Sequence, residues 1–186
     1  MDVKKIFNTS NFLSFIRLLL VIPAWFAFSN FTDTFNRYSV AAIGIIAAIT
    51  DILDGYLARK LKQITEFGKI IDPLADKVLI AFVVINLFLL KEIPDYYFSL
   101  IVGRDALILL GGIIVTKKIG KVLPSDYLGK ATVLSISFVL LMILLNVDRQ
   151  SLPYQILYYI SIILIFVSLA NYLIKAFRNI SSDKSE

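Results

Sequence analysis

Apolar residues run through this chain in long unbroken blocks, not in the one-sided stripes or strict alternation of elements that face water on one side. Phe12 to Phe28, Val78 to Leu90, Val133 to Leu145 and Ile156 to Ala170 hold no acidic or basic residue except Arg17, and each lies in a segment long enough to cross hydrocarbon. The pattern predicts six spans, at about residues 11–30, 36–58, 69–91, 95–116, 128–147 and 153–177. The expected fold is an all-α integral membrane protein of six transmembrane helices in a single domain over residues 1–186. Met1 to Ser10 is polar enough to lie along the interface as a short N-terminal helix, and Ser181 to Glu186 reads as a frayed tail. The first block is too long and too late in the chain for a cleaved signal peptide and is expected to be retained.

Composition sharpens this picture. Of 186 residues, 58% are hydrophobic, and the mean hydropathy of +0.80 exceeds what a water-soluble surface allows. The formal charge of +5 is distributed unevenly. Lys4, Lys5, Arg59, Lys60, Lys62, Lys117, Lys118, Lys121, Lys175, Arg178 and Lys184 fall on one side of the expected spans, against Arg37, Lys91 and Arg149 on the other. The lysine-rich side is therefore expected to be cytoplasmic, with both termini on it. No basic stretch is interleaved with aromatics outside the spans, so a nucleic-acid partner is not indicated and the charge is assigned to anionic membrane lipids. The chain has no cysteine and no histidine, which removes thiolate metal sites, imidazole ligands and the commonest general base.

Within this apolar frame four acids crowd one short turn. Asp51 and Asp54 close the second span, and Asp72 and Asp76 open the third. Spacings of three and four put each pair on one helical face, one turn apart. A carboxylate in a membrane helix costs about 2.5–3.5 kcal/mol at mid-bilayer, less toward the ends, and converging negative charges also repel. A compensating cation is required. Oxygen-only ligands select hard ions, so two Mg²⁺ or Mn²⁺ ions are expected, whereas zinc would favour nitrogen or sulfur. The plainer alternative pairs these acids with Arg59, Lys62, Lys69 and Lys77 at solvated helix ends. Gly55, beside Asp54, suggests close approach of a ligand or of another helix.

Asp51, Asp54, Gly55, Ala58, Arg59, Gly68, Asp72 and Asp76 together satisfy the pattern Asp-x2-Asp-Gly-x2-Ala-Arg-x8-Gly-x3-Asp-x3-Asp without a substitution. The chain thereby resembles the CDP-alcohol phosphatidyltransferase family, six-helix membrane enzymes that usually form homodimers. Asn11 to Arg17 looks like the family's first-helix start, and Asp72-Pro73-Leu74-Ala75-Asp76-Lys77 is similar to its phosphatidylglycerophosphate synthase branch. The resemblance implies that Asp51, Asp54 and Asp72 hold the metals, and that Asp76 is the general base and also touches the second ion. It implies donor binding by Asn11, Gly55, Ala58, Arg59 and Gly68, with CDP-diacylglycerol as donor. It also implies a cytoplasmic membrane of bacterial type.

The acceptor is expected to be a phosphorylated alcohol. Arg104 lies mid-span in the fourth segment and Lys130 opens the fifth. Arg17, Arg104 and Lys130 form a candidate anion-binding group, since a guanidinium binds phosphate in a bidentate manner. Glycerol 3-phosphate fits that charge. Phosphatidylglycerol, as in cardiolipin-synthase-type relatives, and an inositol phosphate are the alternatives, and an Arg104–Asp105 structural pair is the non-catalytic reading. A cation transporter is the rival class, disfavoured because the acids gather at one end and do not continue across the bilayer.

Overall fold

A computed structural model of the chain describes the backbone of residues 15–60, 68–119 and 126–182, and the side chains of residues 15–53, 77–116 and 126–178. Among them every regular element is helical: α1 (Val21–Ser29), α2 (Thr34–Lys60), α3 (Gly68–Leu89), α4 (Asp95–Ile119), α5 (Tyr127–Leu144) and α6 (Leu152–Ser182). α2 to α6 each coincide with one expected span to within a few residues, while α1 fills the second half of the span expected at 11–30. The interfacial helix expected over Met1 to Ser10 lies outside the described residues, as does most of the tail.

Local chemistry explains the helix ends. Residues 15–19 are helical too, but a turn at Leu20 separates them from α1. Pro23 has no N–H for the Leu19 carbonyl and its ring crowds that oxygen, so the ladder breaks one turn before the proline. Asp33 caps α2, its Oδ1 accepting from Phe35 N at 3.2 Å. At the end of α5, Asn146 adopts φ 55°, with Asn146 N donating to Ile143 O and Val147 N to Met142 O, both at 3.0 Å. That is a Schellman closure, in which asparagine tolerates the left-handed residue.

Among the described residues four helical stretches are long and apolar enough to cross a membrane: Thr34–Leu53, Asp95–Thr116, Tyr127–Leu144 and Leu152–Arg178. Phe15–Ser29 and Lys77–Leu89 are shorter. Both ranges begin where the described side chains begin, and α3 itself runs over 22 residues, Gly68–Leu89.

The chain divides into two compact units, residues 1–89 with 143–146, and residues 90–142 with 147–186. In the first, Ala24, Ala27, Phe28 and Phe31 recur at helical spacing and are buried, as are Val40, Ala41 and Ala47 of α2 and Leu79, Val83 and Leu87 of α3. The small residues let α1 and α2 approach closely, and Phe28 meets Phe82 of α3 edge-on at 5.9 Å. Arg37 donates to Ile143 O at 2.7 Å while lying 4.4 Å from the Phe31 ring centroid. A cation there offsets the negative end of α5.

The second unit carries its polar groups inside. Tyr97 Oη and Ser161 Oγ are 2.7 Å apart, and Arg104 reaches Ser168 Oγ from Nε at 3.3 Å and from NH2 at 3.2 Å. Both links advance by seven residues on both helices, so α4 and α6 run parallel and meet again every two turns. Thr132 Oγ1 ties α5 to α6 through Leu164 O at 3.1 Å. Meanwhile Leu107, Leu110, Ile114, Ile163, Phe166, Ile174 and Phe177 are exposed. Hydrogen-bonding groups inside and large apolar side chains outside suit lipid as the surrounding solvent.

Further along the α4–α6 seam, a Cβ added at Gly111 would stand 2.9 Å from Tyr172 Cε1. Gly111→Ala therefore has to push an aromatic ring out of a packed seam, at a cost of about 1–3 kcal/mol. Its melting temperature in detergent is expected to fall by roughly 2–10 °C. An unchanged melting curve would mean that the ring swings aside freely.

Candidate functional site

The motif residues occupy the helix ends that their spacing predicts. Asp51, Asp54, Gly55, Ala58 and Arg59 lie in the last turns of α2, and Gly68, Asp72 and Asp76 in the first turns of α3. On these backbones Asp51 and Asp54, and likewise Asp72 and Asp76, stand one turn apart. α3 runs helically through Pro73 in its second turn. The side chains of Asp54, Gly55, Ala58, Arg59, Gly68, Asp72 and Asp76, and all of Asn11, lie outside the described residues.

Asp51 is the described member of the set. Its carboxylate is half-exposed, at 50%, and Oδ1 accepts from Arg17 NH1 at 2.7 Å. Arg17 is itself 1% exposed, the largest fully buried side chain among those described. A residue expected at the acceptor is thus found on an acid of the proposed metal set. No three acidic side chains cluster among the described residues, as follows from Asp51 being the one motif aspartate among them. What is visible fits a hard cation: an accessible carboxylate with Oδ2 not hydrogen-bonded among the described residues, in a chain without nitrogen or sulfur ligands of the imidazole or thiolate kind.

Arg104, in the second unit, is 8% exposed and donates from NH1 to Asp105 Oδ1 at 2.6 Å, with Asp105 at 48% exposure. Its other donors face Ser168 Oγ and, at 3.5 Å, Gly129 O. A Cβ on Gly129 would sit 3.4 Å from Arg104 NH2, in contact with the guanidinium. Lys130 follows Gly129 in the first turn of α5 and is exposed, without an ion pair among the described residues. Sequence reasoning named Arg104, Asp105 and Lys130 but missed Ser168 and Gly129. The available signal was the seven-residue repeat of Ser161 and Ser168, which matches that of Tyr97 and Arg104.

Just before α5, Asp126 accepts from Lys175 Nζ at 2.9 Å and from Asn171 Nδ2. The Lys175 hydrogen bond holds the Asp126 carboxyl below its usual value, against a smaller opposing effect of burial. This pair ties the start of α5 to the end of α6, outside the aspartate motif.

The sequence profile for CDP-alcohol phosphatidyltransferases matches residues 7–170 of the chain. Over 180 residues the chain is 37% identical to a CDP-diacylglycerol--glycerol-3-phosphate 3-phosphatidyltransferase of Aquifex aeolicus, an alignment covering 93% of this chain and 98% of the relative. Proteins of the same name from Bacillus subtilis and Escherichia coli are 38% identical over 105 residues and 41% over 75. These two alignments cover 54% and 40% of this chain, and 54% and 41% of the respective relatives.

Proposed function

The chain belongs to the CDP-alcohol phosphatidyltransferase family, and on that premise we propose that it transfers the phosphatidyl group of CDP-diacylglycerol to a hydroxyl of glycerol 3-phosphate, releasing CMP and forming phosphatidylglycerophosphate. The observation that carries the choice of acceptor is the nearly end-to-end similarity to the Aquifex aeolicus protein, whose name states that acceptor. The eight-residue motif supplies the machinery, and its helix-end placement on α2 and α3 supports it.

In this reading Asp51, Asp54, Asp72 and Asp76 hold two Mg²⁺ or Mn²⁺ ions. When bound, such ions neutralise the diphosphate and the charge that builds up on the departing CMP. Asp76 removes the proton of the acceptor hydroxyl, whose oxygen bonds to the phosphatidyl phosphorus as the P–O bond to CMP breaks. Gly55 and Ala58, lacking bulk, line the cytidine pocket, and Arg59 stands by the diphosphate. Asn11 assists the donor, and Gly68 allows the turn into α3. Arg104 and Lys130 supply positive charge for the acceptor's phosphate, with Arg104 held in place by Asp105 and Ser168.

Six crossings, with the motif end and both termini in the cytoplasm, complete the proposal. The uneven spread of lysine and arginine supports it, and the apolar helices together with the bacterial relatives support a bacterial inner membrane. A homodimer, the usual assembly in the family that the chain resembles, is part of the proposal. An acceptor competition tests the substrate assignment: glycerol 3-phosphate, phosphatidylglycerol and inositol phosphate are offered together with CDP-diacylglycerol, and the lipid products are separated. Phosphatidylglycerophosphate is expected to dominate. Cardiolipin as the main product would move the chain to the phosphatidylglycerol-using group, and a phosphorylated inositol lipid to the third.

A further inference from the structure

We propose that Arg17 is a positioning residue and the built-in counter-ion of the aspartate cluster: it holds Asp51 by one oxygen while the metals are absent, and it does not bind the acceptor's phosphate. This rests on the metal-site reading above and adds to it the protein's own means of keeping the site assembled when empty. The carrying observation is the Arg17 NH1 to Asp51 Oδ1 hydrogen bond of 2.7 Å, made between residues 34 apart in sequence.

The two burials differ in a way that assigns the roles. Arg17 is 1% exposed, so an acceptor phosphate would have to displace packed side chains to reach its guanidinium. Asp51 is 50% exposed, so a metal reaches its carboxylate directly. An arginine cannot shed its proton, which makes it a permanent charge at this position, and a guanidinium is stable in so dry a place only when it faces acids. One N–H donor on Oδ1 fixes the carboxylate plane and leaves Oδ2 for a hard cation. A neutral residue at position 17 would remove from Asp51 the one cation that meets it among the described residues.

The consequence is a specific coupling between position 17 and metal. Thermal unfolding of the purified full chain in detergent is measured in EDTA and in Mg²⁺, for wild type, Arg17→Gln, Arg17→Lys and Arg17→Gln/Asp51→Asn. Arg17→Gln is expected to lose stability mainly in EDTA, with Mg²⁺ restoring more than half of the loss. Its metal-induced rise in melting temperature then exceeds that of wild type, and Arg17→Lys falls between the two. The double variant, which removes both charges, is expected to melt above Arg17→Gln in EDTA.

The KM for glycerol 3-phosphate is expected to stay within twofold in Arg17→Lys. Equal losses with and without Mg²⁺ would reduce Arg17 to a packing residue and overturn the proposal. A tenfold rise in that KM with an unaltered metal-induced shift would also overturn it, in favour of an acceptor ligand. If neither Mg²⁺ nor Mn²⁺ raised the melting temperature of wild type, the metal reading itself would fall, and this inference with it. Should Arg17→Gln fail to fold, Arg17→Lys against wild type in EDTA and Mg²⁺ decides the matter by the same comparison.

Discussion

Replacing Asp76 by asparagine is expected to leave CDP-diacylglycerol binding close to that of wild type while kcat falls by about 10²–10⁴-fold, the usual contribution of a general base. Asparagine keeps the shape and one oxygen for a cation, but its amide cannot accept the acceptor's proton. Asp51→Asn should behave differently. It removes a charge from a half-exposed carboxylate at the end of α2 and breaks its ion pair with the buried Arg17. Metal affinity and donor affinity are both expected to weaken, with kcat partly recovered by raising Mg²⁺. Metal titrations of turnover in the two variants separate these roles. Identical behaviour, or full activity in both, would remove the division of labour within the motif.

Arg104→Ala carries the second large effect. A charge-assisted hydrogen bond to the acceptor's phosphate is worth roughly 1.5–3 kcal/mol, so the KM for glycerol 3-phosphate should rise about ten- to hundredfold while that for CDP-diacylglycerol hardly moves. The same side chain also links Asp105, Ser168 and the Gly129 carbonyl. Some loss of thermal stability is therefore expected along with the kinetic change. Ser168→Ala removes one tie of Arg104 without removing its charge, and provides the control. A lower melting temperature in Arg104→Ala with both KM values unchanged would make Arg104 a fastener of α4, α5 and α6 and nothing more.

Helix positions were legible because each rests on a long apolar block whose ends are set by local signals. Pro23, Asp33 and Asn146 each act within a turn of their own position. Pairings were less legible. Among the described residues Asp51 meets Arg17, on the preceding helical segment, a partner that its neighbours in sequence did not suggest. Periodicity says which face of a helix is inward but not how two helices are rotated against each other, and that rotation decides which cation meets which acid.

The same limit explains Ser168 and Gly129. Neither has a chemistry that draws notice alone: Ser168 matters because the parallel run of α4 and α6 brings Arg104 against it, and Gly129 because the first turn of α5 meets the same guanidinium. The Arg104–Asp105 pair, by contrast, joins neighbours in sequence and was visible from the start.

Phosphatidyl transfer to glycerol 3-phosphate by the aspartate motif is tested by a product balance. The purified chain in detergent micelles is supplied with CDP-diacylglycerol, glycerol 3-phosphate and Mg²⁺, and CMP and lipid products are counted together. The expected result is one phosphatidylglycerophosphate for each CMP, halted by EDTA and nearly absent in Asp76→Asn. CMP release that ignores the acceptor, or no lipid product at all under these conditions, would contradict it.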